Sequence, residues 1–272
     1  MIPTIGIIGY GFVGKAQEYL FRTKNASILC YDKFLESSSL EEVVDNSEYI
    51  FVCVPTPYKD DAIDLTIMDE VMGQIAPLAS DTDKIIIIKS TVIPGTTATY
   101  AKQYSDCHFA MSPEFLREKH YQDDVMKPDR MVVGSDESGI ASKVANLYKS
   151  VLPDAPIFES SATAAEMVKY MSNCFLATKI IFANEMFDLC EALDVDYDAV
   201  KDMVAADKRI GGYLDVTALR GFGDKCLPKD MIALRALFKK MGVDDELLTT
   251  VWEKNLRIRK VRNWEDIPFV KS

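Results

Sequence analysis

The segment GFGDKCLPKD (221–230) places one cysteine between a glycine-rich turn and a proline that suits the first turn of a helix. A helix that begins at Pro228 would put Cys226 just before its N-terminus, where a thiolate is stabilised as a nucleophile for carbonyl carbon. Asp230 lies four residues after the cysteine, one turn along, where a carboxylate can position a water or accept a proton. The spacing leaves two interpretations: a catalytic thiol, or a buried cysteine that acts as a small hydrophobic residue.

Two other pairs of polar residues share a four-residue spacing. Lys169 and Asn173 lie in an otherwise apolar segment, and this spacing puts a cation and an amide on one helix face, where they can hold a developing oxyanion. Glu114 and Glu118 follow the fifth predicted strand, and one of them is a candidate base for activating water. The alternatives are a solvated lysine and a pair of surface acids at the start of a helix.

GYGFVG (9–14) has the G-x-G-x-x-G pattern directly after a predicted strand. Gly9 allows the tight turn, Gly11 lets the backbone approach a pyrophosphate, and Gly14 lets helix and strand pack closely. A second strand ends in Asp32, 23 residues after Gly9, where a carboxylate can accept hydrogen bonds from both ribose hydroxyls. Together these features predict a dinucleotide site.

The same site favours NAD over NADP, because the acid at Asp32 repels a 2′-phosphate, although Lys33 beside it works in the other direction. VPTP (54–57) and STVIPGTT (90–97) follow the third and fourth strands. They therefore lie at the carboxyl edge of the predicted sheet, where ligands bind in such folds. As an alternative, their prolines and threonines are ordinary turn residues.

Short β-branched runs alternate with helical stretches through the first half of the chain. This alternation predicts βαβ units, and nearly continuous apolar strands are typical of a parallel sheet covered by helices on both faces. The predicted strands are TIGIIG (4–9), SILCYD (27–32), YIFVCV (49–54), KIIIIKS (84–90), HFAMS (108–112) and RMVVG (130–134).

The pattern changes after APIFES (155–160). Residues 161–193 contain no glycine or proline and carry apolar residues at helical spacing, which predicts one long helix. Further helices are predicted over about 196–206, 228–241 and 244–260. The long helix needs cover on more than one side, and a second copy of the chain would supply it. We therefore expect an α/β fold and a homodimer: a Rossmann-type parallel-sheet domain over 1–160, then an all-helical domain over 161–272 with one long central helix.

The composition of the 272-residue chain narrows the class of protein. A net charge of -11 argues against nonspecific nucleic-acid binding, which needs a basic face. The six cysteines show no zinc-ligand spacing, so neither a metal site nor a disulfide framework is expected. The apolar run IIII (85–88) is too short to span a bilayer, and the N-terminus has no basic region typical of a signal peptide. We expect no membrane role and a cytoplasmic location.

Several motifs, in this order, resemble those of the nucleotide-sugar dehydrogenases, the family of UDP-glucose 6-dehydrogenase, from residue 4 to about residue 260. They are GYGFVG, VPTP, STVIPGTT, SPEFLRE, PDRMVVG, AEMVKYMSNCFLATKIIFANE, RIGGYL and GFGDKCLPKD. The resemblance implies an NAD-dependent, four-electron oxidation of a sugar primary alcohol to a carboxylate. In such a reaction Cys226 captures the aldehyde as a thiohemiacetal, which is oxidised to a thioester and hydrolysed to the uronate.

The resemblance also implies roles for residues at matching positions. Lys169 and Asn173 would hold the reacting oxygen, Asp230 and Thr91 would position water, and Glu118 would serve in thioester hydrolysis. The implied cofactor-binding residues are Gly9, Gly11, Phe12, Val13, Gly14, Asp32, Lys33, Val54, Pro55, Thr56, Thr91 and Glu118. The implied substrate-binding residues are Glu114, Phe115, Leu116, Arg117, Lys169, Arg209 and Gly223. In this family, the residue corresponding to Arg209 often reaches substrate across the dimer interface.

The chain departs from the family pattern in two ways. Asp224 follows Gly223 where the family has a second glycine; a carboxylate there would raise the pKa of the nearby thiol unless it points away. Asp tolerates a positive φ better than most residues do. The resemblance also implies a third, UDP-binding domain, for which we expect no room in this sequence. Nucleotide affinity would then come from the dimer partner or from a separate UDP-binding subunit, or would not be required. A single-step hydroxyacid-type NAD dehydrogenase and a noncatalytic NAD-binding partner remain the alternative functions.

Overall fold

A computed structural model describes residues 3–60, 62–267 and 270. The chain forms two compact units. The first comprises the chain up to Thr56 together with Asp64–Lys169, and the second comprises Pro57–Ile63 and the chain from Tyr170 onward. The division falls inside a continuous helix, later in the chain than the boundary at residue 160 predicted from composition.

The first unit is built on a seven-stranded sheet in the order β2-β1-β3-β6-β7-β8-β9. All neighbouring strands pair in parallel except β7 and β8, which pair antiparallel where Met111 meets Gly134. The strands of the described residues are β1 (Ile5–Ile8), β2 (Ile28–Tyr31), β3 (Tyr49–Val52), β4 (Tyr58–Lys59), β5 (Ala62–Ile63), β6 (Ile85–Ile88), β7 (His108–Met111), β8 (Met131–Gly134) and β9 (Ile157–Ser160). The predicted Rossmann-type, mainly parallel sheet is confirmed.

Helices cover both faces of this sheet, and each face has its own buried apolar cluster. This arrangement explains why β1, β6 and β8 are buried along their whole length and read as apolar runs. The helices of the chain are α1 (Phe12–Arg22), α2 (Leu40–Asp45), α3 (Thr66–Ala79), α4 (Thr96–Gln103), α5 (Tyr121–Met126), α6 (Ile140–Val151), α7 (Ala162–Ala192), α8 (Tyr197–Ala205), α9 (Cys226–Met241) and α10 (Glu246–Ile258).

The second unit is mainly helical and contains most of α7, a helix of 31 residues that confirms the predicted long helix. The short hairpin of β4 and β5 also belongs to this unit, where Tyr58 packs in a buried cluster with Ile232 and Trp264. The described residues also form two short 3-10 turns, Glu118–His120 in the first unit and Asn263–Glu265 in the second. Within the described ranges, no helix combines the length and apolar character needed to cross a membrane.

Several boundaries differ from the sequence prediction. The helix expected to begin at Pro228 begins at Cys226, because the first turn of a helix has no internal partner for its N–H groups and tolerates proline throughout. Residues 112–117 are not helical, so Glu114 lies in the loop after β7 and the next regular element begins at Glu118.

Candidate functional site

The glycine motif forms a tight turn between β1 and α1. Gly9 has a φ of +91°, and a Cβ built on Gly14 would lie 2.2 Å from the carbonyl oxygen of Gly9. A Cβ built on Gly11 would meet no protein atom within 4 Å. Gly11 is the N-cap of α1, and Phe12 and Val13 follow it in the first helical turn. The space at Gly11 is therefore free for a ligand, and the turn fits a dinucleotide pyrophosphate at a helix N-terminus.

The carboxylate of Asp32 lies beside this turn. It accepts hydrogen bonds from the backbone N–H of Tyr10, at 2.8 Å, and of Phe34, at 2.9 Å. Asp32 also lines a pocket of about 320 Å³ together with Tyr10 and Glu36. Lys33 is exposed and does not line the pocket. The carboxylate of Asp32 in this pocket could accept a hydrogen bond from the 2′-hydroxyl of NAD and would repel a 2′-phosphate.

The loops after β3 and β6 meet at the carboxyl edge of the sheet. The hydroxyl of Thr56 donates to the carbonyl oxygen of Thr91 at 2.7 Å. Val54 is buried and Pro55 is exposed. Thr91 is thus anchored through its backbone at this edge of the sheet.

A buried acid that the motif analysis missed also holds this region. The Glu166 carboxylate accepts from the backbone N–H of Gly95 at 2.5 Å, from that of Thr97 at 2.8 Å, and from the Thr97 hydroxyl at 2.6 Å. It therefore caps the start of α4, whose own N-cap residue is glycine. The signal in the sequence was an acidic residue within an apolar helix, three positions before Lys169.

Lys169 and Glu114 form a buried ion pair in the first unit. The Lys169 Nζ lies 2.8 Å from both the carboxylate and the backbone carbonyl oxygen of Glu114. The other carboxylate oxygen of Glu114 accepts from the backbone N–H of Leu116 at 2.7 Å. The Phe115 ring lies between two cations, with the Arg130 guanidinium 4.0 Å and the Lys169 ammonium 5.7 Å from its centroid. Two predicted site residues from separate motifs are thus in direct contact.

Lys89 is a second buried lysine, and the motif analysis did not single it out. Its Nζ lies 3.3 Å from the Ser112 and Tyr148 hydroxyls and 3.5 Å from the Pro113 carbonyl oxygen. These contacts fix the backbone directly before Glu114. The isoleucine run that precedes Lys89 was the only sign in the sequence that this lysine is buried.

The remaining acidic and basic residues of the SPEFLRE motif lie on the surface. Glu118 is exposed at the start of a 3-10 turn. The Arg117 guanidinium binds both carboxylate oxygens of Asp124, at 2.6 and 3.1 Å, and lowers the pKa of that carboxyl by hydrogen bonding. Of the two glutamates in this motif, Glu114 is therefore buried and Glu118 is exposed.

In the second unit, Cys226 is the first residue of α9, half-buried. Asp230 lies one turn further along α9 and is 1% exposed. It accepts a hydrogen bond from the Asn173 amide at 2.6 Å, and the Lys229 ammonium lies 3.0 Å from its other oxygen. The structure thus joins the two predicted site residues Asn173 and Asp230, and it places the cysteine at the N-terminus of a helix, a position that favours a thiolate.

Four of the other cysteines have thiols whose pKa is raised by burial. Burial raises the pKa of Cys30 to about 11 and that of Cys53 to about 12, and it also raises the pKa of Cys107 and Cys174. None of the six forms a disulfide bond within the part of the chain that the structure describes. A raised pKa makes a thiol inert at neutral pH, so these four fit the hydrophobic interpretation.

Arg209 and Asp224 lie in two loops of the second unit. The exposed Arg209 guanidinium binds the Asp207 carboxylate at 2.6 Å and lowers the pKa of Asp207. Asp224 has a φ of +61°, the left-handed conformation that is compatible with the glycine found at this position in the family pattern. Its carboxylate accepts from the Asn263 amide at 2.7 Å. Beside it, Gly223 has no room for a Cβ, which would lie 2.3 Å from an Arg259 guanidinium nitrogen.

Comparison with known proteins assigns both parts of the chain to one family. Residues 31–152 match the NAD binding domain of the UDP-glucose/GDP-mannose dehydrogenase family, and residues 163–257 match its central domain. The chain belongs to this family. The resemblance drawn from the motifs is confirmed, and so is NAD as the cofactor.

One relative of this chain is a Rickettsia bellii protein named UDP-glucose 6-dehydrogenase. It is 34% identical over a stretch that covers 83% of this chain and 53% of its own length. A putative UDP-glucose 6-dehydrogenase from Bacillus subtilis is 34% identical over 84% of this chain and 56% of its own. The chain therefore spans about half the length of the curated relatives it matches.

Among solved structures, a UDP-glucose dehydrogenase from Pyrobaculum islandicum is similar with a TM-score of 0.83 and 30% identity, covering 94% of this chain and 68% of that one. A 3-hydroxyisobutyrate dehydrogenase from Mycobacterium tuberculosis has a TM-score of 0.74 at 16% identity, covering 94% of both chains. At that identity the second likeness shows the fold alone.

Proposed function

We propose that the chain carries out the NAD-dependent, four-electron oxidation of a nucleotide-sugar primary alcohol to a uronate, with UDP-glucose as the substrate. The observation that carries this proposal is Cys226 at the first position of α9, with Asp230 one turn further and hydrogen-bonded to Asn173. A single alcohol oxidation needs no nucleophilic thiol, whereas an aldehyde must be captured before it can be oxidised to an acid.

NAD, when bound, would supply the hydride acceptor for each of the two oxidations, so two molecules of NAD are reduced per sugar and the first is exchanged before the second oxidation. The chain's part in the first oxidation is to hold the alcohol oxygen and remove its proton. We assign the holding of the alcohol oxygen to Lys169 and Asn173. Glu114 holds the ammonium of Lys169 in place through its carboxylate and carbonyl oxygens. The products of this step are an aldehyde, reduced cofactor and one proton.

In the second oxidation the Cys226 thiolate adds to the aldehyde carbon and forms a C–S bond. The aldehyde oxygen becomes the thiohemiacetal oxygen, which the Asn173 amide can stabilise as it develops negative charge. Loss of a second hydride converts the thiohemiacetal to a thioester. Water then attacks the thioester carbon, the C–S bond breaks, and the carboxylate leaves with the thiol regenerated.

Hydrolysis requires a positioned water and a base. We assign the positioning of water to Asp230 and Thr91, and the base to Glu118. Asp230 is supported by its burial and by its bond to Asn173. Thr91 is supported by the anchoring of its carbonyl oxygen on Thr56. Phe115, Leu116, Arg117 and Gly223 are the further residues we assign to substrate binding.

We propose two partners besides the substrate. A second copy of the chain would cover the apolar face of α7, where Met171, Phe175 and Phe182 are more than half exposed. Arg209 would then reach the substrate of the other copy, which is consistent with its exposure. A separate UDP-binding subunit and a cytoplasmic location stay predictions.

The test of the proposed function counts NADH formed per sugar consumed, with UDP-glucose, GDP-mannose and UDP-N-acetylmannosamine as substrates. Two NADH per sugar and a uronate product support the thioester route. One NADH with an accumulating aldehyde or ketone would instead show a single-step dehydrogenase, and none with any sugar would contradict the proposal for the chain by itself.

We predict that Cys226→Ala abolishes acid formation while the first oxidation persists, because only the second oxidation needs the thiol. Quantifying uronate and NADH in the same reaction measures both steps. Cys190→Ala is the matched control, because Cys190 is also half-buried. This variant should still form two NADH per sugar. Uronate production by the Cys226 variant at the wild-type rate would exclude the thioester route.

A further inference from the structure

The segment 220–224, directly before the helix that begins with Cys226, is conformationally strained. Arg220, Gly221 and Asp224 have positive φ values of 60°, 50° and 61°. Two of these three residues carry a Cβ, and the left-handed conformation costs such a residue about 1 kcal/mol or more. Strain of this kind persists only where surrounding contacts hold it.

Two asparagines hold the first half of the segment. The Asn184 side-chain oxygen in α7 accepts from the Arg220 guanidinium at 2.7 Å and from the Gly221 backbone N–H at 3.2 Å. The Asn255 amide in α10 binds Phe222 reciprocally, since it accepts from the backbone N–H at 2.8 Å and donates to the carbonyl oxygen at 3.1 Å. Both asparagines are fully buried.

A third asparagine holds the end of the segment next to the cysteine. The Asn263 side-chain oxygen accepts from the Asp224 backbone N–H at 3.1 Å, and its amide donates to the Asp224 carboxylate at 2.7 Å. Arg259 supports this pair, because its guanidinium lies 3.3 Å from the Asn263 oxygen and also donates to the Arg220 carbonyl oxygen at 3.0 Å. The carboxylate of Asp224 is thereby tied to the 3-10 turn Asn263–Glu265.

We propose that Asn184, Asn255 and Asn263 act as an asparagine clamp whose role is to position Cys226 for reaction. The third member compensates for an aspartate in a conformation that suits glycine, and it directs the Asp224 carboxylate to an amide partner. These are positioning residues that act through the backbone of 220–224. The inference rests on the proposed function of Cys226 as a nucleophile, and its test needs no substrate.

The test measures alkylation of Cys226 by iodoacetamide as a function of pH, read by mass spectrometry of the peptide that contains Cys226. Asn263→Ala should move the midpoint of the alkylation profile upward by about one pH unit, or about tenfold in rate at pH 7, because the thiol loses its fixed place at the helix N-terminus. Asn46→Ala, in the first unit, is the matched control and should leave the profile unchanged.

Rescue distinguishes positioning from a general loss of structure. In the double variant Asp224→Gly with Asn263→Ala, the profile should return to that of Asp224→Gly alone, because glycine adopts a positive φ without help. The exchange Asp224→Asn with Asn263→Asp keeps an amide–carboxylate pair and should also restore the wild-type midpoint. An unchanged midpoint in Asn263→Ala, or the same shift in both backgrounds, would overturn the clamp.

The outcome separates this inference from the proposed function. If Asn263→Ala shifts the alkylation profile and glycine rescues it while no sugar reduces NAD, the clamp stands and the proposed reaction fails. If NADH forms in the ratio of two per sugar and the profile does not respond to Asn263, the reaction stands and the clamp is wrong.

Discussion

At the scale of single residues, the glycine motif separates binding from folding. A methyl group at Gly11 would meet no protein atom, whereas one at Gly14 would lie 2.2 Å from the Gly9 carbonyl oxygen. The same substitution, glycine to alanine, therefore has different physical consequences at the two positions. One glycine leaves space for the cofactor and the other lets α1 approach β1.

We predict that Gly11→Ala weakens NAD binding at least tenfold while the melting temperature changes by only a few degrees. The added methyl group occupies the space that the pyrophosphate needs, and tenfold in affinity corresponds to about 1.4 kcal/mol. Calorimetric titration with NAD and thermal unfolding measure the two effects.

Gly14→Ala is the matched variant and should lower the free energy of unfolding by about 2 kcal/mol or more, because α1 must move away from the turn. Equal loss of stability in the two alanine variants would contradict the distinction between these glycines.

At the scale of elements, the loop between β7 and α5 depends on one surface ion pair. Hydrogen bonds from Arg117 lower the pKa of Asp124 below its ordinary value of 3.8. A lowered pKa contributes stability that is present above the ordinary value and is lost as the pH falls through the lowered one. Arg117 is largely exposed, so solvent screening limits the contribution.

We predict that Asp124→Asn lowers the free energy of unfolding by about 0.5 kcal/mol at pH 7 and by less at pH 3, which lies below the ordinary pKa of 3.8. Urea unfolding at both pH values measures the difference. Asp123→Asn removes the same charge from the neighbouring exposed position and serves as the control. A deficit of Asp124→Asn that does not shrink on acidification would argue against the ion pair as its cause.

At the scale of the whole molecule, one face of α7 exposes large apolar side chains to solvent in the single chain. Phe175, Phe182 and Leu189 are spaced seven residues apart, so they lie on one face of the helix, and each is more than half exposed. A face of this kind marks an interaction site, and a second copy of the chain is the partner we propose.

We predict that the wild-type chain is a dimer and that Phe175→Glu with Phe182→Glu makes it a monomer, because two carboxylates would have to be desolvated at the interface. Light scattering gives the mass directly. Met241→Glu changes an equally exposed apolar residue outside α7 and should leave the dimer intact. A monomeric wild type, or a dimer that persists in the double variant, would contradict the prediction.

The sequence by itself determined the parallel sheet, the long helix and the family. These follow from local patterns: apolar strands, a helical period without glycine or proline, and glycines at fixed spacing. It also singled out Lys169, Asn173 and Asp230 as candidate site residues. What it could not determine was which of them touch, since contact depends on residues far apart in the chain.

Only the tertiary structure decided the partners. It paired Lys169 with Glu114, a residue 55 positions away, and Asn173 with Asp230, 57 positions away. It also distinguished Glu114, which is buried, from Glu118, which is exposed. It also showed that Asp224 is tied to Asn263. Burial and hydrogen bonding between distant segments set these relations, and no local period encodes them.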